Sequence, residues 1–190
     1  MKNRYAFINS FSFSLIFKLF VLGIASFSLY LHIDIDDLPN TFRFFGYFTV
    51  LSNLFCFIIL LLNIIKMIYN RISFSEKYTA LKEYSHFFVL FKGMSLMSII
   101  LTFFIFHYMV ANYKYPLLIN NILNLPIKDL FAHYLLPFFY VIDWLLFAPK
   151  GLQKLNAPFI WTLYPFVYLI FTFVRLYKVP ASSYFHLNEA

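Results

Sequence analysis

The sequence predicts an all-α protein: a polytopic transmembrane helical bundle of five spans, forming a single membrane-embedded helical domain over residues 1–190. Three observations carry that expectation. Five apolar stretches each approach the roughly 20 residues needed to cross a hydrocarbon core. Hydrophobic residues make up 62% of the chain and charged residues 12%, and the mean hydropathy is +0.76, beyond the range of ordinary soluble domains. Lys and Arg gather in the short segments between the apolar stretches, so the net charge of +7 is a topology signal and no nucleic-acid partner is expected.

The first span covers residues 12–32 behind a head carrying Lys2 and Arg4. It lacks an A-x-A-like cleavage site and is read as a span, not a signal peptide. An acidic loop with Asp34, Asp36 and Asp37 follows, and the second span covers 42–65. Residues 70–84 form a charged connector to the third span, 86–110. Pro116, Pro126 and several asparagines make 112–126 an irregular loop. The fourth span, 128–147, stops at Ala148-Pro149-Lys150-Gly151, because proline lacks the N–H that continues a helix and glycine frees the backbone. The fifth, 159–176, tolerates Pro165 as membrane helices can, and a polar tail follows Pro180.

With the N-terminus in the cytoplasm, Lys2, Arg4, Lys66, Arg71, Lys77, Lys82, Lys150 and Lys154 fall inside, against Arg43, Lys114, Lys128, Arg175 and Lys178 outside. That bias sets the expected orientation. The lone Cys56, inside an apolar run, excludes a disulfide framework or thiolate cluster and is read as packing. With 4 Gly and no GxxxG, helix contacts are expected to rest on large aromatic side chains.

Chemistry is sought in the polar residues inside the spans, where an ionisable group must be paired or wetted. Thr49 lies seven residues past Phe42 and His133 five past Lys128, on two spans that both descend from outside, about 7–11 Å deep at 1.5 Å per residue. A Thr hydroxyl is a poor nucleophile until an imidazole takes its proton, which can later go to a leaving group. Asp129, one turn before His133, can fix the imidazole tautomer. Asn53, one turn after Thr49, can orient the hydroxyl or donate to an oxyanion. Structural alternatives stand beside each role. Membrane threonines commonly bond their own i−4 carbonyl, a buried histidine can serve packing, and Asn53 can simply bridge two helices.

Lys18 and Lys92 rise from the inner side, about 9 Å at 1.5 Å per residue, to the level that Asp143 reaches from above. A structural ion pair between Asp143 and one lysine is expected, with the other snorkelling to lipid headgroups. A proton or ion pathway is the alternative. Arg175 either snorkels or holds a substrate carboxylate. His32, His107 and His133 all fall in the outer half, but singly on separate spans, so no metal site and no cofactor are expected.

The segments Phe45-Gly46-Tyr47-Phe48-Thr49-Val50-Leu51-Ser52-Asn53-Leu54, Ala132-His133-Tyr134-Leu135-Leu136-Pro137 and Asp143-Trp144-Leu145-Leu146-Phe147, followed by Trp161, Pro165, Tyr168 and Arg175, together resemble the androgen-induced integral membrane protein family, and its bacterial members most. The likeness covers nearly the whole chain. It is carried by the ordered set Y-F-T-x-x-S-N, H-x-x-x-P and D-W-L-L-F, not by any single piece. Animal members are multi-span hydrolases of fatty acid esters of hydroxy fatty acids that use an intramembrane Thr nucleophile and a His. The resemblance therefore implies Thr49 as nucleophile, His133 as base, a fatty acyl ester substrate, membrane lipids as partners and a bacterial cytoplasmic membrane as location. The family typically has six spans, the last after the region matching residues 184–188. This sequence has five, as a shortened natural variant or with its end lost.

The expected function is thus a membrane-embedded lipid ester hydrolase of threonine type. The alternative is non-enzymatic binding of a lipid or small amphiphile, or proton-coupled transport along Lys18, Lys92 and Asp143. Catalysis requires Thr49 and His133 on one accessible cavity. Transport requires polar groups lining a continuous path.

Overall fold

The computed structural model describes residues 10–33, 46–73, 85–111, 124–148, 153 and 155–178, and every regular element among them is helical. Five helices are long and apolar enough to cross a membrane: α1, Phe11–Tyr30; α2, Phe48–Ser73; α3, His86–Ala111; α4, Ile127–Phe147; and α5, Ala157–Arg175. By length and composition these are the spans of an integral membrane protein. The expected acidic loop, the part of the connector from 74 to 84, and residues 42–45 of the expected second span lie outside the described residues.

Local sequence explains most helix ends. Ser85 Oγ accepts the Phe88 N–H at 3.2 Å and caps α3. Asp129 in the first turn of α4 complements the positive end of the helix dipole. Both α3 and α4 widen into π-helical turns, at Phe106–Ala111 and Phe131–Leu135. In α4 the cause is Pro137, which offers no N–H to the His133 carbonyl and crowds the preceding turn. Pro165 acts likewise in α5, where the helix breaks at Thr162 between Ala157–Trp161 and Leu163–Lys178.

The largest departure from the expected boundaries is α2, which continues to Ser73 instead of ending near 65. Lys66 and Arg71 read as the start of a loop, yet Lys66 rests 5.7 Å from the Phe88 ring and Arg71 5.8 Å from the Phe11 ring. Aromatic faces on α3 and α1 thus accept both cations, while Ile64 and Met67 stay buried on the inner stripe.

Helices α1 to α4 form a ring in which α1 packs on α2 and α4, and α3 packs on the same two. Val21, Ala25, Cys56, Leu60, Ile99, Leu136 and Tyr140 meet at its centre. Ile16, Phe20, Phe104 and Phe138 point outward, whereas Lys18, Ser52, Asn53, Ser95 and Asp143 are buried. A bilayer favours this inverted arrangement, because lipid accommodates apolar side chains and polar groups must satisfy one another inside. Outside the ring, α5 lies mainly against α3. Its Trp161 indole sits directly on Gly93, where a Cβ would overlap the ring, and meets Trp144 edge-on at 5.4 Å.

Candidate functional site

Thr49 occupies the first turn of α2, whose hydrogen-bond ladder opens with Leu51 N–H to the Tyr47 carbonyl at 3.1 Å. That position decides what its hydroxyl can do. Thr102 and Thr172 each donate to the carbonyl four residues earlier, Ser98 O and Tyr168 O, at 3.0 Å. For Thr49 the corresponding residue is 45, ahead of the helix, and its hydroxyl makes no hydrogen bond among the described residues.

His133 lies in the π-helical turn of α4 and is buried. Its ring stacks on Phe106 of the facing π-helical turn, with centroids 3.6 Å apart and planes 8° from parallel. Asp129 Oδ1 is 3.9 Å from His133 Nε2, too far for a hydrogen bond. A cavity of about 820 Å³ between α2, α3, α4 and α5 brings Thr49, Asp129 and His133 onto one lining. Leu101, Ile105, Phe166 and Leu169 supply apolar wall. Ile105, Phe166 and Leu169 are also exposed on the outer surface, so the cavity opens between α3 and α5.

Two other expected site residues stand apart. Asn53 Nδ2 donates to Ser28 Oγ of α1 at 3.2 Å, and its Oδ1 has no hydrogen-bond partner among the described residues. It bridges α1 and α2 and does not line the cavity. Arg175 lies six residues beyond Leu169, the last lining residue of α5, and is likewise off the cavity wall.

The charged residues collect nearer the opposite end of the bundle. Asp143 Oδ1 accepts from Lys18 Nζ at 2.5 Å and Oδ2 from Lys92 Nζ at 2.6 Å, with all three side chains at most 1% exposed. The expectation of one pair and one snorkelling lysine is therefore corrected. The lysines approach from α1 and α3 on either side of α4, so each takes one carboxylate oxygen. Lys18 Nζ also lies 4.5 Å from the Phe147 ring centroid. One turn higher, Ser95 Oγ and Tyr140 OH are hydrogen-bonded at 2.5 Å, and Cys56 Sγ–H points to the Ser95 carbonyl at 3.6 Å. Fully buried Leu136 then separates Tyr140 from His133 along α4, whereas on α3 buried Ser98 lies between Ser95 and Thr102.

Among the described residues no three His, Cys, Asp or Glu side chains converge as a metal site. His32 Nδ1 lies 2.8 Å from the Ser28 carbonyl, and His107 Nδ1 lies 3.0 Å from Tyr134 OH.

Sequence reasoning gave the wall residues Thr102 and Phe106 no place in the site, and named Tyr168 only within the family motif. Pro137, four residues after His133, was the available signal that this turn is distorted. Nothing in linear order places Phe106 against His133. No protein-family model, curated protein or solved structure matches the chain.

Proposed function

We propose that the protein is a membrane-embedded hydrolase of long-chain lipid esters, with Thr49 as nucleophile and His133 as general base and then acid. The observation that carries this reading is the shared cavity. It joins an unengaged hydroxyl, a buried imidazole and a carboxylate to apolar walls open towards lipid. An ester whose hydrocarbon lies along Leu101, Ile105, Phe166 and Leu169 would present its carbonyl to the polar wall.

His133 takes the Thr49 Oγ1 proton as that oxygen bonds to the carbonyl carbon. The tetrahedral intermediate collapses, the C–O bond to the alcohol breaks, and the imidazolium returns the proton to the leaving oxygen. Water then attacks the acyl-threonine with His133 again as base, releasing the fatty acid and restoring the hydroxyl. Asp129 favours the imidazolium formed in both halves. The likeness of the Thr49, His133 and Asp143 segments to the androgen-induced integral membrane protein family supports the same chemistry. With it we place the chain in a bacterial cytoplasmic membrane, and the bias of basic residues puts its N-terminus inside.

The transport alternative draws on the Lys18–Asp143–Lys92 cluster. It needs a polar lining across the bundle; buried Leu136 interrupts that stripe on α4, while Ser95, Ser98 and Thr102 continue it on α3.

Turnover of a long-chain ester by purified variants tests the proposal. Thr49→Ala and His133→Ala should each lower kcat by about 10²–10⁴-fold, and the double variant should be no worse, because residues acting as one unit lose their function once. Thr49→Ser should keep part of the activity. Full activity with Ala at position 49 would exclude Thr49 as nucleophile.

A further inference from the structure

We infer that Tyr168 is a positioning residue for Thr49, tying the outer helix of the cavity to the turn on which the nucleophile sits. This rests on the hydrolase reading and extends it to a residue outside the Thr–His pair. Only 6% of the α5 span is buried, so that helix is held to the bundle at few points. Trp161 against Gly93 fixes one end. Beside the cavity, Tyr168 OH donates to the Gly46 carbonyl at 3.0 Å, and among the described residues this is the side-chain hydrogen bond that joins α5 to the rest of the chain.

Gly46 stands three residues before Thr49, in the turn that opens α2. The first ladder bond of that helix, Leu51 N–H to Tyr47 O, begins only after it. The backbone carrying Thr49 therefore depends on contacts made from outside the helix. Tyr168 supplies two, its hydroxyl on Gly46 and its ring 5.0 Å from that of Phe48, and it also lines the cavity. Loss of the hydroxyl leaves the Gly46 carbonyl unheld and lets the first turn shift, while the apolar walls that receive the hydrocarbon stay in place. A displacement of about 1 Å at a reacting atom is enough to slow chemistry about 100-fold.

Tyr164 gives the matched control. It sits one turn earlier on α5, its ring packs against Phe55 at 4.9 Å and Phe48 at 6.2 Å, and its hydroxyl makes no hydrogen bond among the described residues.

The experiment compares Tyr168→Phe, Tyr164→Phe and the parent protein by steady-state kinetics on a long-chain ester and by amide hydrogen exchange over residues 46–51. Tyr168→Phe should lower kcat about 100-fold with KM unchanged and speed exchange at residues 48–51. Tyr164→Phe should change neither. Unaltered kcat in Tyr168→Phe, or the same loss in both variants, overturns the inference. A parent protein that hydrolyses no ester rejects the hydrolase reading instead. Exchange then decides the structural part: a faster first turn in Tyr168→Phe alone supports the tie, and unchanged exchange refutes it.

Discussion

Replacing Asp143 with Asn should be the most damaging single change in the charged cluster. One carboxylate serves two lysines from two other helices, and all three groups are out of contact with solvent. Removing it leaves both lysines without their carboxylate, whereas removing either lysine leaves a one-to-one pair. Breaking a buried ion pair by deleting one partner costs about 3–5 kcal/mol. For a chain of this size, at about 2–4 °C per kcal/mol, the thermal midpoint should fall by about 6–20 °C. Lys18→Met and Lys92→Met should each cost less, and the triple variant Lys18→Met/Asp143→Leu/Lys92→Met should recover most of the loss, because apolar side chains of similar size can replace buried charges. Thermal unfolding in detergent, followed by the fluorescence of Trp144 and Trp161, reads these differences. A lysine variant as unstable as Asp143→Asn, or a triple variant no better than it, would refute the assignment of one carboxylate to two lysines.

Gly93→Ala should drive a methyl group into the Trp161 indole, cost about 1–3 kcal/mol and shift Trp emission to the red as α5 loosens; unchanged emission and stability would mean the two helices do not meet there. Single cysteines in a Cys56→Ser background should place residues 74–84 in the cytoplasm and 34–40 outside. Labelling of the first segment in intact cells by an impermeant thiol reagent would reverse the orientation.

Span count and approximate span ends were legible because runs of about 20 apolar residues are a one-dimensional signal. Depth was legible too. Counting at a fixed rise placed Lys18, Lys92 and Asp143 at one level and Thr49 at the level of His133, with which it shares a cavity lining, because a helix converts sequence distance into height. Direction around the axis was not. The inward turn of both lysines towards one carboxylate depends on how three helices pack; the bridging reading of Asn53 was available, but its partner Ser28 on α1 depends on the same packing. The end of α2 was misread for a related reason: Lys66 and Arg71 look like loop residues until Phe88 and Phe11 on other helices are seen to receive them. Pro137 and Pro165 stand in the sequence as available signals of distortion, but nothing there shows that the widened turn of α4 faces another in α3 across the Phe106–His133 stack.

Covalent capture of the nucleophile bears on the proposed chemistry without depending on the choice of ester. Purified protein treated with a long-chain alkyl fluorophosphonate should carry one adduct, mapped by peptide mass spectrometry to Thr49, and its formation should slow sharply in His133→Ala and vanish in Thr49→Ala. An adduct on another residue, or labelling that persists at the same rate in Thr49→Ala, would contradict the assignment of Thr49 and His133 as the catalytic pair.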